Sequence, residues 1–175
     1  MSKVRLATCW LDGCSGCHMS LLDMDDRLLA VAAAADIVYS PLVDAKEFPE
    51  NVDVTLVEGA IATDEDRHKI ATVRARTRVL VALGDCAVTG NVPAMRNPFG
   101  VCCVMARAYH ETATHGAQTP SECLPVLSER ACPVHEVVPV DLVVPGCPPP
   151  ADVIHHVLSE LLDGRMPDVA SLTRL

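Results

Sequence analysis

Two of the nine cysteines in this 175-residue chain, Cys14 and Cys17, form a C-x-x-C pair within Gly13-Cys14-Ser15-Gly16-Cys17. Thiols at that spacing either cycle between dithiol and disulfide or ligate a soft metal. Two more occupy similar settings, Gly84-Asp85-Cys86 and Pro145-Gly146-Cys147. With the first pair they make four thiolates, the set that a [4Fe-4S] cluster requires and that a structural zinc also accepts. A glycine near each lets backbone approach closely and aims amide hydrogens at sulfur. Glu58-Gly59 adds a carboxylate directly after an apolar run; such a group is either a solvated loop charge or a site acid.

The remaining candidates have plainer roles. Cys9 closes an apolar run, and the adjacent Cys102 and Cys103 cannot both face one way on a helix, so all three are expected to pack as small apolar residues. Cys123 and Cys132 lie in a proline-interrupted stretch and are the substitutes if one of the four ligands is misassigned. His18 is placed either to donate to a ligand sulfur or to cap a helix start. His155 and His156 fall on an ordinary helix and are expected at the surface.

The elements that must position these residues alternate. Val4–Thr8, Ile37–Tyr39, Asp53–Val57, Arg78–Leu83 and Leu142–Val144 read as strands, the fourth fully buried. Met19–Val31 fits one helix. Thr63 followed by Asp64, Glu65 and Asp66 opens another, which Arg74 and Arg76 close as the helix dipole favours. Ala151–Leu162 is an amphipathic helix with Val153, Ile154, Val157, Leu158, Leu161 and Leu162 on one face, ended by Gly164. From Pro93 to Pro139 the chain is interrupted at Pro98, Pro120, Pro125 and Pro133 and holds one helix-like stretch, Val101–His110, so it gives no continuous path. Repeated strand, loop and helix of this length implies an α/β fold with a mostly parallel sheet covered on both faces. In such sheets the loops beyond the carboxyl ends of the strands form the binding crevice. The C-x-x-C, Glu58, Cys86 and Cys147 all follow strands, so they are expected to meet there.

Composition narrows the function. With 23 acidic against 14 basic residues, a net charge of −9 and five aromatic residues, the chain is poorly suited to neutralise phosphates or stack on bases, which excludes nucleic-acid binding. It is 50% hydrophobic and 21% charged, as a folded domain is, and residues 1–175 are expected to form one domain. The longest apolar run, Leu28–Ala35, is flanked by Asp26 and Asp36 and is too short for a membrane span. Residues 1–10 carry no apolar export signal. A cytoplasmic location follows as the expectation, and there cysteines serve metals or catalysis more often than disulfides.

Four motifs then point one way together. Gly13-Cys14-Ser15-Gly16-Cys17, Val57-Glu58-Gly59-Ala60-Ile61, Gly84-Asp85-Cys86-Ala87 and Pro145-Gly146-Cys147-Pro148-Pro149 resemble, in order, the small subunit of nickel-iron hydrogenases. The short length and His18-Met19-Ser20 look most like the cytoplasmic, bidirectional NAD-reducing members. The resemblance implies a flavodoxin-like three-layer fold and one [4Fe-4S] cluster held by Cys14, Cys17, Cys86 and Cys147 in the loops at the carboxyl strand ends. It implies that Glu58 faces a large subunit and passes protons. The implied partners are a large subunit holding the nickel-iron site and diaphorase subunits carrying FMN and iron-sulfur clusters. The large-subunit pattern needs two C-x-x-C motifs, and this chain has one. Larger small subunits add a C-terminal cluster domain; no cysteine follows Cys147 here, so a single cluster is expected. A flavodoxin-like crevice could take FMN, although no loop reads as a phosphate cradle. The related cluster subunit of quinone-reducing respiratory complexes shares Gly-Cys-Pro-Pro but uses tandem cysteines at the first site. A free-standing thiol oxidoreductase would need neither Cys86 nor Cys147.

Overall fold

The computed structural model describes residues 3–172. Its main sheet has five parallel strands, β1 (Val4–Trp10), β2 (Ala35–Tyr39), β3 (Val52–Glu58), β5 (Thr77–Leu83) and β7 (Leu142–Val144), ordered β2-β1-β3-β5-β7. Counting only these five, the order is 2-1-3-4-5, the flavodoxin-like arrangement, which reverses direction between its first and third strands. Two short strands, β4 (Ile61–Thr63) and β6 (Leu127–Cys132), pair antiparallel beside it.

The side-chain period of two sends alternate residues to opposite layers. In β5, Val81 and Leu83 join a core with Leu21, Met24, Val31, Ile154, Val157, Leu158 and Leu161. Leu80 and Ala82 join the other, with Ile70, Val73, Ala87 and Val134. The first layer is supplied by α1 (Gly16–Leu22), α2 (Arg27–Ala34) and α7 (Ala151–Leu162), and the second chiefly by α3 (Asp64–Arg76) and α4 (Asp85–Thr89). Helix α7 matches its expected bounds, and Ile154, Val157, Leu158 and Leu161 are buried on its apolar face. Helix α3 begins as its sequence implies: Thr63 accepts from the Asp66 N–H at 3.0 Å, and Asp66 accepts from the Thr63 N–H at 3.0 Å.

One expectation about the elements needs correction. The single helix over Met19–Val31 is two helices, broken at Asp23–Asp26, with Asp25 at φ 52. Three aspartates at the negative end of α1 oppose its continuation, and the turn drives Met24 into the core at 1% exposure. Over residues 93–139 the helix expected at Val101–His110 is present. Short helices α5 (Asn91–Ala94) and α6 (Val101–Ala106), the latter running into a π-helical turn at Arg107–Glu111, precede β6. Strand β6 carries no apolar alternation. It is held by Arg96, which donates to the Ser128 and Glu129 carbonyls, and by Asn97, which exchanges two hydrogen bonds with the Ala131 backbone.

Candidate iron-sulfur site

Because β1, β3, β5 and β7 are parallel, their carboxyl ends share one edge of the sheet, and the loops leaving them meet at the point where strand order reverses. There Cys14, Cys17, Cys86 and Cys147 line one cavity of about 100 Å³, together with Gly13, Gly16, Glu58, Gly59, Asp85, Gly146 and Pro148. Cys14 and Cys147 are exposed, Cys17 and Cys86 half-buried. Cys123 and Cys132 lie outside this cavity, so the structure brings together the four cysteines expected and neither substitute.

Backbone contacts hold the loops in place. Leu11 N–H donates to the Glu58 carbonyl, and Asp12 and Ala60 exchange backbone hydrogen bonds of 3.1 and 2.7 Å. A Cβ on Gly59 would lie 2.7 Å from the Leu11 carbonyl carbon, so only glycine permits this approach. Gly84 (φ 82) is tighter still, since its Cβ would fall 2.2 Å from Cys17 Sγ. Asp85 ties the loop after β5 to the loop after β7: its N–H donates to the Gly146 carbonyl at 2.9 Å, and its carboxylate accepts from the Gly146 N–H at 2.7 Å. Ser20 Oγ–H reaches the Pro149 carbonyl at 2.5 Å and fixes α1 against the last loop.

Burial pushes the Cys17 thiol well above its ordinary pKa, and Glu58 with Cys86, Cys14 and Cys147 push it further. Burial and then Cys147 raise Cys86 as well, against a backbone N–H from Val92 that lowers it. A bound metal centre would supply the positive charge that lets thiolates stand together around this cavity. Among the described residues no group of three or more His, Cys, Asp or Glu side chains closes on one point to hold a single metal ion. Four thiols lining one cavity are the donor set that a [4Fe-4S] cluster takes. These sulfur donors occupy the crevice where a flavodoxin-like fold places flavin.

Glu58 is neither a solvated loop charge nor a rim residue. It ends β3 at 2% exposure, beneath the cavity it lines. Its Oε2 accepts the His18 backbone N–H at 2.7 Å. His18 Nδ1 lies 3.0 Å from the same oxygen, off the line a good hydrogen bond needs. His18 Nε2 is 2.9 Å from Thr8 Oγ1, which reaches Ser40 Oγ at 2.9 Å. Neither role expected for His18 holds: its ring turns into the core and links α1 to β1 and β3. The sequence signal for this pairing was present in His18 following the C-x-x-C, but its direction was not.

The outlying residues divide. Cys9 is fully buried and its thiol is pushed up to about 11 by burial, as a packing residue's would be. Cys102 and Cys103 are exposed, contrary to expectation, because α6 lies on the surface and buries none of its residues. His156 is exposed and His155 half-buried on α7. Asn91, whose Nδ2 donates to Cys147 Sγ at 3.5 Å, joins the site unannounced by any motif; Asp85 stood in the Gly84-Asp85-Cys86 motif, but its tie to Gly146 did not follow from it.

Known proteins sharpen this picture. Residues 14–161 match the family described as NADH ubiquinone oxidoreductase, 20 Kd subunit, and the chain belongs to that family. It is 39% identical over 174 residues to the NAD-reducing hydrogenase HoxS subunit delta of Cupriavidus necator, covering 97% of this chain and 83% of that one. It is also 39% identical over 166 residues, 94% of its own length, to a subunit of the F420-non-reducing hydrogenase vhu of Methanocaldococcus jannaschii, of which it spans only 58%. Among solved structures, an NAD+-reducing [NiFe]-hydrogenase in the H2-reduced state superposes with a TM-score of 0.91 at 41% identity, over 95% of both chains. The [NiFeSe] hydrogenase of Desulfovibrio vulgaris Hildenborough, at 19% identity and a TM-score of 0.54 over 91% of this chain and 60% of that one, shares the fold. These relatives are hydrogenase proteins, and among the described residues no helix is long and apolar enough to cross a membrane.

Proposed function

We propose that this chain is the electron-transfer subunit of a cytoplasmic NAD-reducing nickel-iron hydrogenase. It holds one [4Fe-4S] cluster through Cys14, Cys17, Cys86 and Cys147 and relays electrons between the nickel-iron site of a partner large subunit and diaphorase subunits carrying FMN and iron-sulfur clusters. The convergence of four thiols from three strand-end loops carries this reading. When bound, such a cluster supplies one-electron transfer. The chain's own part is to fix the sulfurs, bring the loops close at Gly84 and Gly59, and hold Glu58 beneath them, where its carboxylate can exchange a proton with a partner group. Trp10 and Met19, 44% and 58% exposed beside the site, offer apolar surface for a partner subunit.

The test is composition followed by turnover. Anaerobically purified protein should contain about four irons and four sulfides per chain, copurify with a hydrogenase large subunit, and support H2-dependent NAD+ reduction. Zinc in place of iron would overturn the cluster. The family's description favours a second reading, the cluster subunit of a quinone-reducing respiratory complex. Quinone reduction without hydrogen uptake by the purified complex would select it.

A further inference from the structure

The four sulfurs are not equally served by hydrogen-bond donors. After Cys86 the chain runs through α4, which ends at Gly90 (φ 85), and turns at Asn91 (φ 32). Asparagine is among the few side-chain-bearing residues that accept a positive φ readily. The turn carries the segment back over the site. Asn91 Nδ2 donates to Cys147 Sγ at 3.5 Å, and the backbone N–H of the next residue, Val92, faces Cys86 and lowers its pKa. Consecutive residues of one short segment thus reach two sulfurs that belong to different strand-end loops.

A donor to a ligand sulfur stabilises negative charge there, and the reduced cluster carries one more electron than the oxidised one. Such donors therefore favour reduction and raise the potential. The Val92 contact is backbone and survives most substitutions; the Asn91 contact depends on one side-chain amide. Resting on the cluster reading above, we propose that Asn91 is a tuning residue that raises the reduction potential of the centre by donating its side-chain amide to the Cys147 sulfur.

Two substitutions separate this role from a structural one. Asn91→Gly keeps the positive-φ backbone and removes the donor. Asn91→Asp keeps shape and backbone preference but presents an anionic acceptor to the sulfur. The hydrogenase complex, purified anaerobically, is titrated with mediators while the reduced cluster is followed by electron paramagnetic resonance; iron content and large-subunit copurification are measured in parallel. The potential should fall from wild type to Asn91→Gly and further to Asn91→Asp. For the glycine variant the oxidised-to-reduced ratio at fixed ambient potential should rise roughly threefold to tenfold, tenfold being about 59 mV for a one-electron couple. Iron and copurification should stay unchanged. Unshifted potentials in loaded variants, or loss of iron from both variants while wild type is loaded, would overturn the proposal. Wild type without iron would instead overturn the cluster reading on which it rests.

Discussion

The two ends of the main sheet are built from the same kind of loop and solve opposite problems. At the amino ends of the strands, charge is met by charge. Arg76 pairs with Glu50 at 2.8 Å, Arg78 with Asp53 at 3.5 Å, and the Arg5 guanidinium donates to the Glu50 and Asn51 carbonyls. At the carboxyl ends, thiols meet thiols around a cavity, with one buried carboxylate below and glycines where side chains would intrude. The first end is complete by itself, and the second collects donors that repel one another. That asymmetry supports the proposed site at the carboxyl edge, because converging thiols that raise the pKa of Cys17 suit a place where a ligand compensates them.

The largest effects should come from the carboxyl edge. Changing Cys14, Cys17, Cys86 or Cys147 to Ser should abolish or severely reduce bound iron, because a hydroxyl is a poorer soft-metal ligand than a thiolate. Gly84→Ala should do the same without touching a ligand, since its Cβ would sit 2.2 Å from Cys17 Sγ and its φ is 82. Cys102→Ser and Cys103→Ser, on the exposed α6, should leave iron content at the wild-type level. Iron and sulfide assays on the purified proteins check all of these. Retention of iron by Cys86→Ser alongside its loss from Cys123→Ser would mean that the ligand set is misassigned.

How far the site could be read from sequence follows from which interactions are local. Helix α7 and strand β5 announce themselves by periodicity, and α3 by Thr63 and its acidic first turn. The cysteines converge because parallel strands end on one edge, so a rule about topology sufficed to group residues as distant in sequence as Cys14 and Cys147 from their strand-end settings alone. What depends on tertiary hydrogen bonds was not legible. Strand β6 is held by its pairing with β4 and by Arg96 and Asn97, and the buried Glu58 is met by the His18 N–H from α1.

Glu58 tests the comparison at its hinge, as the one carboxylate at the carboxyl edge buried beneath the thiols. Glu58→Gln keeps an acceptor for the His18 N–H, which Glu58 Oε2 now receives at 2.7 Å, but it cannot exchange a proton. H2-dependent dye reduction should drop at least about tenfold, below the usual worth of a positioned acid-base group, with iron content unchanged. Glu58→Ala removes the acceptor too and orphans a buried N–H, a cost of about 1–3 kcal/mol, so it should lose iron as well as activity. Equal activity in Glu58→Gln and wild type would leave Glu58 as a tether for α1 and nothing more.

The smallest effect belongs to the opposite edge and should leave the site untouched. Asp141, just before β7, accepts the Leu80 N–H at 2.7 Å and pairs with Arg74 at 2.6 Å. Burial pushes its carboxyl up, but the Leu80 N–H and the Arg74 guanidinium outweigh burial and hold it below the ordinary range. A carboxyl whose folded pKa is depressed contributes stability above its unfolded value, about 3.9, and loses that contribution as pH falls through the folded value. The side chain is 40% exposed, so solvent screening limits the contribution to about 1 kcal/mol. Asp141→Asn should therefore lower the urea midpoint of the isolated chain at pH 7, and the gap to wild type should narrow as pH falls below about 3.9. In the purified complex the same variant should keep its iron. A gap independent of pH would remove the carboxylate's charge from the account and leave only its hydrogen bond to Leu80. A loss of iron would mean that the two ends of the sheet are coupled, which the separate bonding of each edge argues against.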